Sequence, residues 1–272
     1  MALILQHKWK ALGLYVGVSV GTAVALKLRQ APATVASSHS TGAGATGGRY
    51  CAFDGLAASY DSEIGWDEIM MGLPLARRAI CRHARGRVLE VSCGTGRNLE
   101  YLAASSEVED VVCTDVSRPM LDVASQKAKE AGVLQRKRVV FRTMDAQELA
   151  FRDAQFDTVV DSFGLCSCDD PVGALKEMAR VCVPAEQGGR ILLLEHGRST
   201  YDWLSRLLDG SAAKHAEKWG CWYNRDIEKL VADAGLQVET YRRFHFGTTH
   251  YIVASPPRAQ EPSGAREHDA AA

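Results

Sequence analysis

The chain has 272 residues, 46% of them hydrophobic, and a formal net charge of −1 at pH 7. This length accommodates one sizeable α/β domain with extensions, and the balanced charge gives no reason to expect nucleic-acid binding, which usually needs a basic patch. The eight cysteines are scattered without a C-x-x-C pair, which favours free thiols over disulfides or a metal site.

The N-terminal fifty residues differ in composition from the rest of the chain. They contain no acidic residue, and residues 11–26 form an uncharged run between Lys10 and Lys27. Sixteen helical residues span about 24 Å, short of the roughly 30 Å of a hydrocarbon core, but the flanking lysines and Trp9 can reach the interfaces. We predict a membrane helix over residues 11–28. A stripe of small residues would let two such helices pair as a homodimer: Gly13, Gly17 and Gly21.

Three interpretations of this segment stay open: a retained anchor at residues 1–30, a cleaved secretory signal, and an organelle transit segment. The basic, acid-free composition favours mitochondrial import, and together with an anchor it predicts a location at the mitochondrial inner membrane. Residues 31–49, rich in Ala, Ser, Thr and Gly, predict a flexible linker. Residues 255–272 predict a disordered tail, which leaves residues 50–254 as the folded domain.

Apolar runs and capping residues predict the elements of that domain in chain order. Helices are expected within residues 61–82, and Ser117 and Asp170 precede runs typical of helix starts. Seven strands separated mostly by helices predict a doubly wound α/β sheet. The expected strands are the run from Arg87, the run ending at Asp115, and residues 139–143, 156–161, 190–195, 237–244 and 248–254.

The run from Arg87 to Asn98 predicts a buried strand, a glycine turn and the start of a helix. Such a junction exposes backbone N–H groups at the carboxyl edge of a parallel sheet, where nucleotide-like cofactors bind. The dinucleotide fingerprint needs a third glycine, but Gly94 and Gly96 are followed by Arg97-Asn98-Leu99. NAD(P) is therefore the weaker candidate, and S-adenosylmethionine the stronger one.

Three carboxylates at successive strand ends also favour S-adenosylmethionine. Glu90, just before the turn, would repel a pyrophosphate but suits an ammonium and a sulfonium. Asp115 ends the second strand, where a carboxylate can accept both ribose hydroxyls. Asp145 follows the third strand, at a position suited to the adenine amino group.

The domain resembles the class I S-adenosylmethionine-dependent methyltransferases of the type 11 or ubiquinone/menaquinone C-methyltransferase-like group. The resemblance covers roughly residues 53–254 and lies in Tyr60-Asp61, Gly72, Arg77-Arg78, the glycine turn, and residues 156–161 and 188–195. It implies a mostly parallel seven-stranded sheet with an antiparallel last strand. The expected cofactor-binding residues are Glu90, Ser92, Cys93, Gly94, Gly96, Asn98, Asp115, Val116, Met120, Asp145, Ala146 and Ser162.

One position departs from the pattern of this group. Ser92 stands where many members have the first glycine of E-x-G-x-G-x-G. A serine is expected to cost little here if its φ is negative, although it can crowd the methionine end of the cofactor.

The stretch after the fifth strand is the candidate acceptor side. Its pattern, beginning Glu195-His196-Gly197, resembles membrane-anchored mitochondrial methyltransferase-like proteins and a membrane-associated thiol methyltransferase-like group. His196 is the candidate catalytic base or acceptor contact, with a sheet-edge hydrogen bond as the alternative. Weaker candidates, each with a structural alternative, are His215, His245, Cys221, an Asp209–Arg225 ion pair, the tryptophans Trp203, Trp219 and Trp222, and Ser162 with Phe163 near the transferred methyl.

These observations predict a membrane-anchored methyltransferase acting on an apolar or membrane-borne small molecule, such as a quinone precursor or a lipid. Two alternatives stay open. In the first, the domain is a catalytically silent assembly factor of a membrane complex, since Ser92 departs from the pattern and no base is evident. In the second, it is a small-molecule thiol methyltransferase.

Overall fold

The computed structural model describes residues 50–258, and within them the strands form one seven-stranded sheet in the order β3-β2-β1-β4-β5-β7-β6. The strands are β1 (Gly86–Val91), β2 (Val108–Asp115), β3 (Arg138–Thr143), β4 (Thr158–Ser162), β5 (Arg190–His196), β6 (Gln237–Phe244) and β7 (Thr249–Ser255). β1 to β5 are parallel, whereas β7 is antiparallel to both β5 and β6. The doubly wound, mostly parallel sheet and its antiparallel last strand are confirmed.

Helices precede the sheet and connect its strands. In the described residues they are α1 (Tyr50–Leu56), α2 (Tyr60–Met70), α3 (Leu73–Cys81), α4 (Leu99–Ala103), α5 (Arg118–Glu130), α6 (Val133–Arg136), α7 (Pro171–Val181), α8 (Asp202–Trp219) and α9 (Ile227–Asp233), with a 3₁₀ turn at Ala185–Gln187. Side-chain caps fix three of the starts. Ser117 accepts a hydrogen bond from the N–H of Met120, Asp170 from that of Gly173, and Asp226 from that of Lys229.

The sheet is covered on both faces, which explains why its central strands are almost wholly buried. One core lies between the sheet and helices α7 and α9, with Phe156, Met178 and Ile191 among its buried residues. The other lies between the sheet and helices α3, α4 and α5, with Ile80 and Leu102 among its buried residues. The chain runs from β1 outward to β3 and then returns to β4 beside β1, so a topological switch point lies between β1 and β4.

Several predicted strand boundaries differ slightly from the observed ones, and two of these differences bear on the fold. The fourth strand begins at Thr158 rather than Phe156, because Phe156 makes only an isolated bridge to Cys182 and Asp157 accepts a hydrogen bond from the N–H of Arg87. β7 extends through Ser255, which pairs with Gln237, so the folded part continues one residue past the predicted end.

The predicted anchor (residues 1–30), its membrane helix at residues 11–28, the linker at residues 31–49 and the tail from residue 259 lie outside the described residues. Among residues 50–258, no helix is both long enough and apolar enough to cross a bilayer.

Candidate functional site

The glycine turn lies at the switch point and is held by the carboxylate that ends β2. The N–H of Gly94 donates to Asp115 Oδ2 at 2.8 Å, and the N–H of Ser117 donates to Asp115 Oδ1 at 2.9 Å. Asp115 therefore fixes the turn relative to the start of α5. Burial raises the pKa of Asp115, and the two N–H donors oppose that shift.

Gly96 allows α5 to approach the turn closely. Its φ is +74°, and a Cβ at this position would lie 2.8 Å from Leu99 Cδ1 and 3.1 Å from Ala124 Cβ. Both the left-handed backbone and the close packing exclude a larger residue. The second glycine of the turn thus serves helix packing.

Ser92 adopts a left-handed backbone conformation. Its φ is +48°, in the left-handed region, so the condition under which a serine would cost little is not met. A non-glycine residue in this region costs roughly 1–2 kcal/mol. The turn keeps the conformation of a glycine and therefore holds a serine under strain at the edge of the cavity.

Glu90 belongs to a buried polar network behind the turn. Asn98 Nδ2 donates to Glu90 Oε1 and to Ser162 Oγ, at 3.0 Å each, and Asn98 Oδ1 accepts from Arg77 Nη1 at 3.2 Å. Arg77 Nη2 also donates to Glu68 Oε1 at 2.8 Å. Burial raises the pKa of Glu90 to about 7, while the Arg77 guanidinium and the Asn98 amide act in the opposite direction. Asn98 therefore positions Glu90 rather than facing the cavity itself.

A partly open cavity lies above the turn and the ends of β1, β2 and β4. Predicted cofactor residues that line it are Glu90, Ser92, Cys93, Gly94, Asp115, Val116, Met120, Asp145, Ala146 and Ser162. Gly96 and Asn98 support the site from behind, as described above. The carboxylate of Asp145 accepts hydrogen bonds from Gln147, which fix the loop after β3.

The sequence argument assigned no role to several other lining residues. They come from α1, α2, α3, the turn, and the loops after β3 and β4: Phe53, Tyr60, Arg77, Thr95, Arg97, Met144, Gly164, Ser167 and Cys168. Tyr60 and Arg77 carried the family resemblance, and that was the available signal for them. Asp61 joins α2 to the turn, because its Oδ1 accepts from Thr95 Oγ1 at 2.7 Å and from Arg97 Nη1 at 3.2 Å. Helix α2 therefore covers the cavity.

The charges of the cavity fit a cationic nucleoside. The two lining arginines are paired with carboxylates outside the lining, since Arg77 binds Glu68, and Arg97 binds Glu68 and Asp61. The carboxyl groups of Glu90, Asp115 and Asp145 also line the cavity. A sulfonium and an ammonium fit this donor set, and a pyrophosphate does not.

His196 lies behind the cavity lining rather than in it. Its ring lies 4.3 Å from that of Phe163, centroid to centroid, and Phe163 faces the cavity. Burial lowers the pKa of His196 to about 3, so the imidazole is neutral near pH 7 and is a weak base. Phe163, which was also predicted to lie near the transferred methyl, lines the cavity, whereas His196 does not.

The remaining histidine candidates have structural partners. His245 bonds Thr249 Oγ1 and the carbonyl of Met71, at 2.9 Å each. His215 lies in α8, where its ring is 4.5 Å from that of Tyr223. Neither histidine lines the cavity.

The predicted ion pair of Asp209 with Arg225 is wrong. Asp209 instead binds Arg198, at 2.8 Å, and Asn224, because α8 brings it over the loop after β5. Arg225 Nη2 donates to the carbonyl of Cys168 at 2.5 Å, which ties the segment after α8 to the cavity wall.

The cysteine and tryptophan candidates are spread over different environments. Cys221 and Trp222 are half-buried, and the N–H of Trp222 donates to the carbonyl of Cys166. Trp219, also half-buried, lies at the end of α8. Trp203 is exposed at the start of that helix. None of these four residues lines the cavity.

An unpredicted pair of carboxyl groups lies under the loop after β4. Asp161 and Glu195 are fully buried, and Asp161 Oδ1, Asp161 Oδ2 and Glu195 Oε2 have no hydrogen-bond partner among the described residues. Glu195 Oε1 accepts from the N–H of Phe163 at 3.1 Å. A Cβ on Gly164 would lie 2.2 Å from Asp161 Oδ1 and 2.6 Å from Ser92 Cβ. Gly164 therefore lets the loop lie between this pair and the glycine turn.

Comparison with known proteins identifies the family. A family model described as a methyltransferase domain matches residues 89–193. The mitochondrial methyltransferase OMS1 of Saccharomyces cerevisiae is 36% identical over 212 residues, which cover 73% of this chain and 44% of the yeast protein. The chain thus spans less than half the length of that relative.

Two bacterial relatives are matched over most of their length. A demethylmenaquinone methyltransferase of Leptospira interrogans is 33% identical over 231 residues, covering 75% of this chain and 91% of the bacterial protein. A phosphatidylethanolamine N-methyltransferase of Cereibacter sphaeroides is 35% identical over 166 residues, covering 61% of this chain and 77% of the bacterial protein.

Among solved structures, the fold is similar to that of NcsB1, an O-methyltransferase from neocarzinostatin biosynthesis in complex with S-adenosylmethionine and a naphthoic acid. The TM-score is 0.56 at 20% identity, over 75% of this chain and 58% of that one. The chain belongs to the S-adenosylmethionine-dependent methyltransferases: it is an enzyme with the Rossmann-like methyltransferase fold, and S-adenosylmethionine is its cofactor.

Proposed function

We propose that this enzyme transfers the methyl group of S-adenosylmethionine to a hydrophobic, membrane-borne small molecule, either a quinone precursor or a lipid. The observation that carries the proposal is that aromatic side chains line the same cavity as the carboxyl groups. Tyr60 and Phe163, both near Arg77, form what we call the acceptor end, and Phe53 also lines the cavity. An apolar acceptor fits the acceptor end.

The residues at the turn would hold the cofactor. Glu90 would face the cationic methionine end, Asp115 the ribose hydroxyls and Asp145 the adenine amino group. Cys93, Gly94, Val116, Met120, Ala146 and Ser162 would complete the cofactor wall, with Ser92 at the methionine end. Bound S-adenosylmethionine supplies a methyl group already activated by a sulfonium, so the protein mainly needs to align the acceptor with it.

The residues at the acceptor end would hold the acceptor in place rather than act as acids or bases. The Arg77 guanidinium lies 5.0 Å from the centre of the Phe163 ring, which fixes that ring at the cavity wall. Burial raises the pKa of the Tyr60 hydroxyl well above its usual range, so the hydroxyl is neutral and can orient a polar group of the acceptor. Because His196 is a weak base behind Phe163, we propose an acceptor that needs no strong protein base, with His196 acting through Phe163.

The membrane part of the proposal rests on the N-terminal sequence and on the relatives. Residues 11–28 have the composition of a membrane helix, and the yeast relative is named a mitochondrial protein. The two bacterial relatives are named for acceptors that reside in membranes, demethylmenaquinone and phosphatidylethanolamine. We therefore propose an enzyme anchored at the mitochondrial inner membrane, whose anchor pairs with a second copy through Gly13, Gly17 and Gly21.

The test incubates the full-length protein with methyl-labelled S-adenosylmethionine and an extract of mitochondrial membrane lipids. The expected result is label in the organic phase, in a quinone-precursor or phospholipid fraction identified by mass spectrometry. Label only in small water-soluble thiols would contradict the proposal. A Phe163→Ala variant should lose organic-phase labelling while it still binds S-adenosylmethionine, because the change removes acceptor contact but none of the cofactor carboxylates.

A further inference from the structure

Six large apolar side chains are exposed on elements beside the cavity: Trp66 and Met70 of α2, Tyr201, Trp203 and Leu207 at the start of α8, and Phe246 of the β6–β7 turn. Their exposed fractions lie between 44% and 69%. We call these six residues the apolar rim. Single exposed apolar residues are ordinary, but several on neighbouring elements point to an interaction surface.

The elements that carry the rim are bonded to one another. His245 Nε2 donates to the carbonyl of Met71, which joins the β6–β7 turn to the end of α2. On the other side, Ser199 Oγ donates to the carbonyl of Phe246 at 2.5 Å, and the rings of Tyr201 and Phe246 lie 6.2 Å apart, centroid to centroid. The β6–β7 turn therefore lies between the two helices.

Helices α2 and α8 each contribute two rim residues that are spaced one helical turn apart. Trp66 and Met70 are four residues apart on α2, and Trp203 and Leu207 are four residues apart on α8. Residues at this spacing share one face of a helix. Both helices thus turn an apolar stripe outward.

The rim lies at the edge of the sheet where the cavity opens. β7 pairs Thr249 with His196, the last residue of β5, so the β6–β7 turn stands at the carboxyl end of β5. Tyr60, the first residue of α2, lines the cavity. A partner covering the rim would face the acceptor end of the cavity.

The chemistry of the rim and the route of the chain favour a lipid bilayer as that partner. Trp66, Tyr201 and Trp203 combine an apolar ring with a polar group, which is typical of residues at the level of lipid headgroups. The chain enters the described part at Tyr50 in α1, which packs against α8. Only residues 29–49 separate Tyr50 from the predicted membrane helix in the sequence, so an anchor there would hold this side of the domain near the bilayer.

We propose that the apolar rim inserts into the headgroup region of the bilayer and directs the acceptor end of the cavity toward the membrane. Its purpose rests on the proposed function, because a membrane-borne acceptor would then enter the cavity without crossing water. The surface itself is testable without any acceptor.

The experiment uses the full-length protein in phosphatidylcholine vesicles with or without brominated acyl chains, which quench tryptophan fluorescence on contact. The parent is compared with Trp66→Phe/Trp203→Phe, in which the rim stays apolar, and with Trp222→Phe, which removes a half-buried tryptophan outside the rim. The sequence holds five tryptophans, and Trp9 gives the quenching common to all three proteins.

We expect the lipid-dependent quenching to fall about two-fold in the double variant and to stay at the parent level in Trp222→Phe. Unchanged calorimetric affinity for S-adenosylmethionine would show that the double variant is folded. Equal quenching of the parent and the double variant would overturn the proposal, and a second copy of the chain would then be the occupant if chemical crosslinking through α8 is found.

The outcome is independent of the acceptor assay. If the rim tryptophans are quenched but no membrane lipid is methylated, the rim proposal stands and the proposed function fails. If lipids are methylated without quenching of the rim tryptophans, the proposed function stands and the rim proposal fails.

Discussion

Asp161→Asn should stabilise this enzyme at neutral and alkaline pH. Asp161 is fully buried, with both carboxyl oxygens unpartnered among the described residues. Burial raises its pKa to about 8, and the nearby carboxyl groups of Glu90 and Asp115 add to the shift. Glu195, packed in the same region, also has its pKa raised by burial and by Asp161. At least one proton is therefore held in the folded state near pH 7.

The sign of the effect follows from where that proton goes on unfolding. An unfolded aspartate has a pKa of about 3.9, so the unfolded chain releases a proton that the folded state keeps. The contribution of Asp161 to stability is thus fully present below about pH 4 and is lost as the pH rises toward 8, at up to about 1.4 kcal/mol per pH unit. Between about pH 5 and pH 7.5 this residue alone costs the parent about 3 kcal/mol, a large part of a typical total of 5–15 kcal/mol.

Asparagine has nearly the same shape and does not titrate. Urea unfolding at about pH 5 and pH 7.5 measures the difference, and the advantage of the variant over the parent should grow by about 3 kcal/mol between them. Asp122→Asn, at an exposed position of α5, is the control and should follow the parent. If Asp161→Asn shows the same pH dependence as the parent, the assignment of a buried protonated carboxyl to Asp161 is refuted.

Three further changes test the site. Ser92→Gly should raise the free energy of unfolding by about 1 kcal/mol, because it removes a side chain from a left-handed backbone; Ser92→Ala keeps the Cβ and should not, and equal effects would refute the strain argument. Gly164→Ala should lower that free energy by about 3 kcal/mol through its clash with Asp161, whereas Gly210→Ala, in open space on α8, should raise it by about 0.5–1 kcal/mol. Arg77→Met should cost about 3 kcal/mol in urea unfolding because Glu68 loses a buried partner, and adding Glu68→Gln should restore part of it; no restoration would contradict the pairing.

The strands could be predicted from the sequence because the signals are local. Apolar runs identified all seven strands, most of them to within two residues of the observed bounds, and Ser117 and Asp170 marked helix starts that the structure confirms. The position of the cavity could also be predicted from these strands, since residues at the carboxyl ends of parallel strands meet at one edge of the sheet. That is why Glu90, Asp115 and Asp145 were grouped correctly in space.

The features that escaped prediction depend on contacts between distant segments. Arg77 reaches Asn98, 21 residues away, only because α3 packs against the sheet beside α4. The Asp161–Glu195 pair depends on β4 and β5 being neighbours with both side chains on one face. The positive φ of Ser92 is imposed by the turn rather than preferred by serine, so it could not be predicted from the residue type. Asp209 was assigned the wrong arginine because helix α8 brings it to Arg198 rather than Arg225.

The most direct test of this account is the calorimetric affinity of the full-length protein for S-adenosylmethionine, measured for the parent, Asp115→Asn and the control Asp122→Asn. Loss of two charge-assisted hydrogen bonds predicts an affinity about 100-fold weaker for Asp115→Asn, with Asp122→Asn at the parent value and no heat from NAD. Thermal unfolding of Asp115→Asn checks that the turn held by Gly94 still forms. Equal affinity of a folded Asp115→Asn and the parent would contradict the assignment of the glycine-turn cavity as the cofactor site.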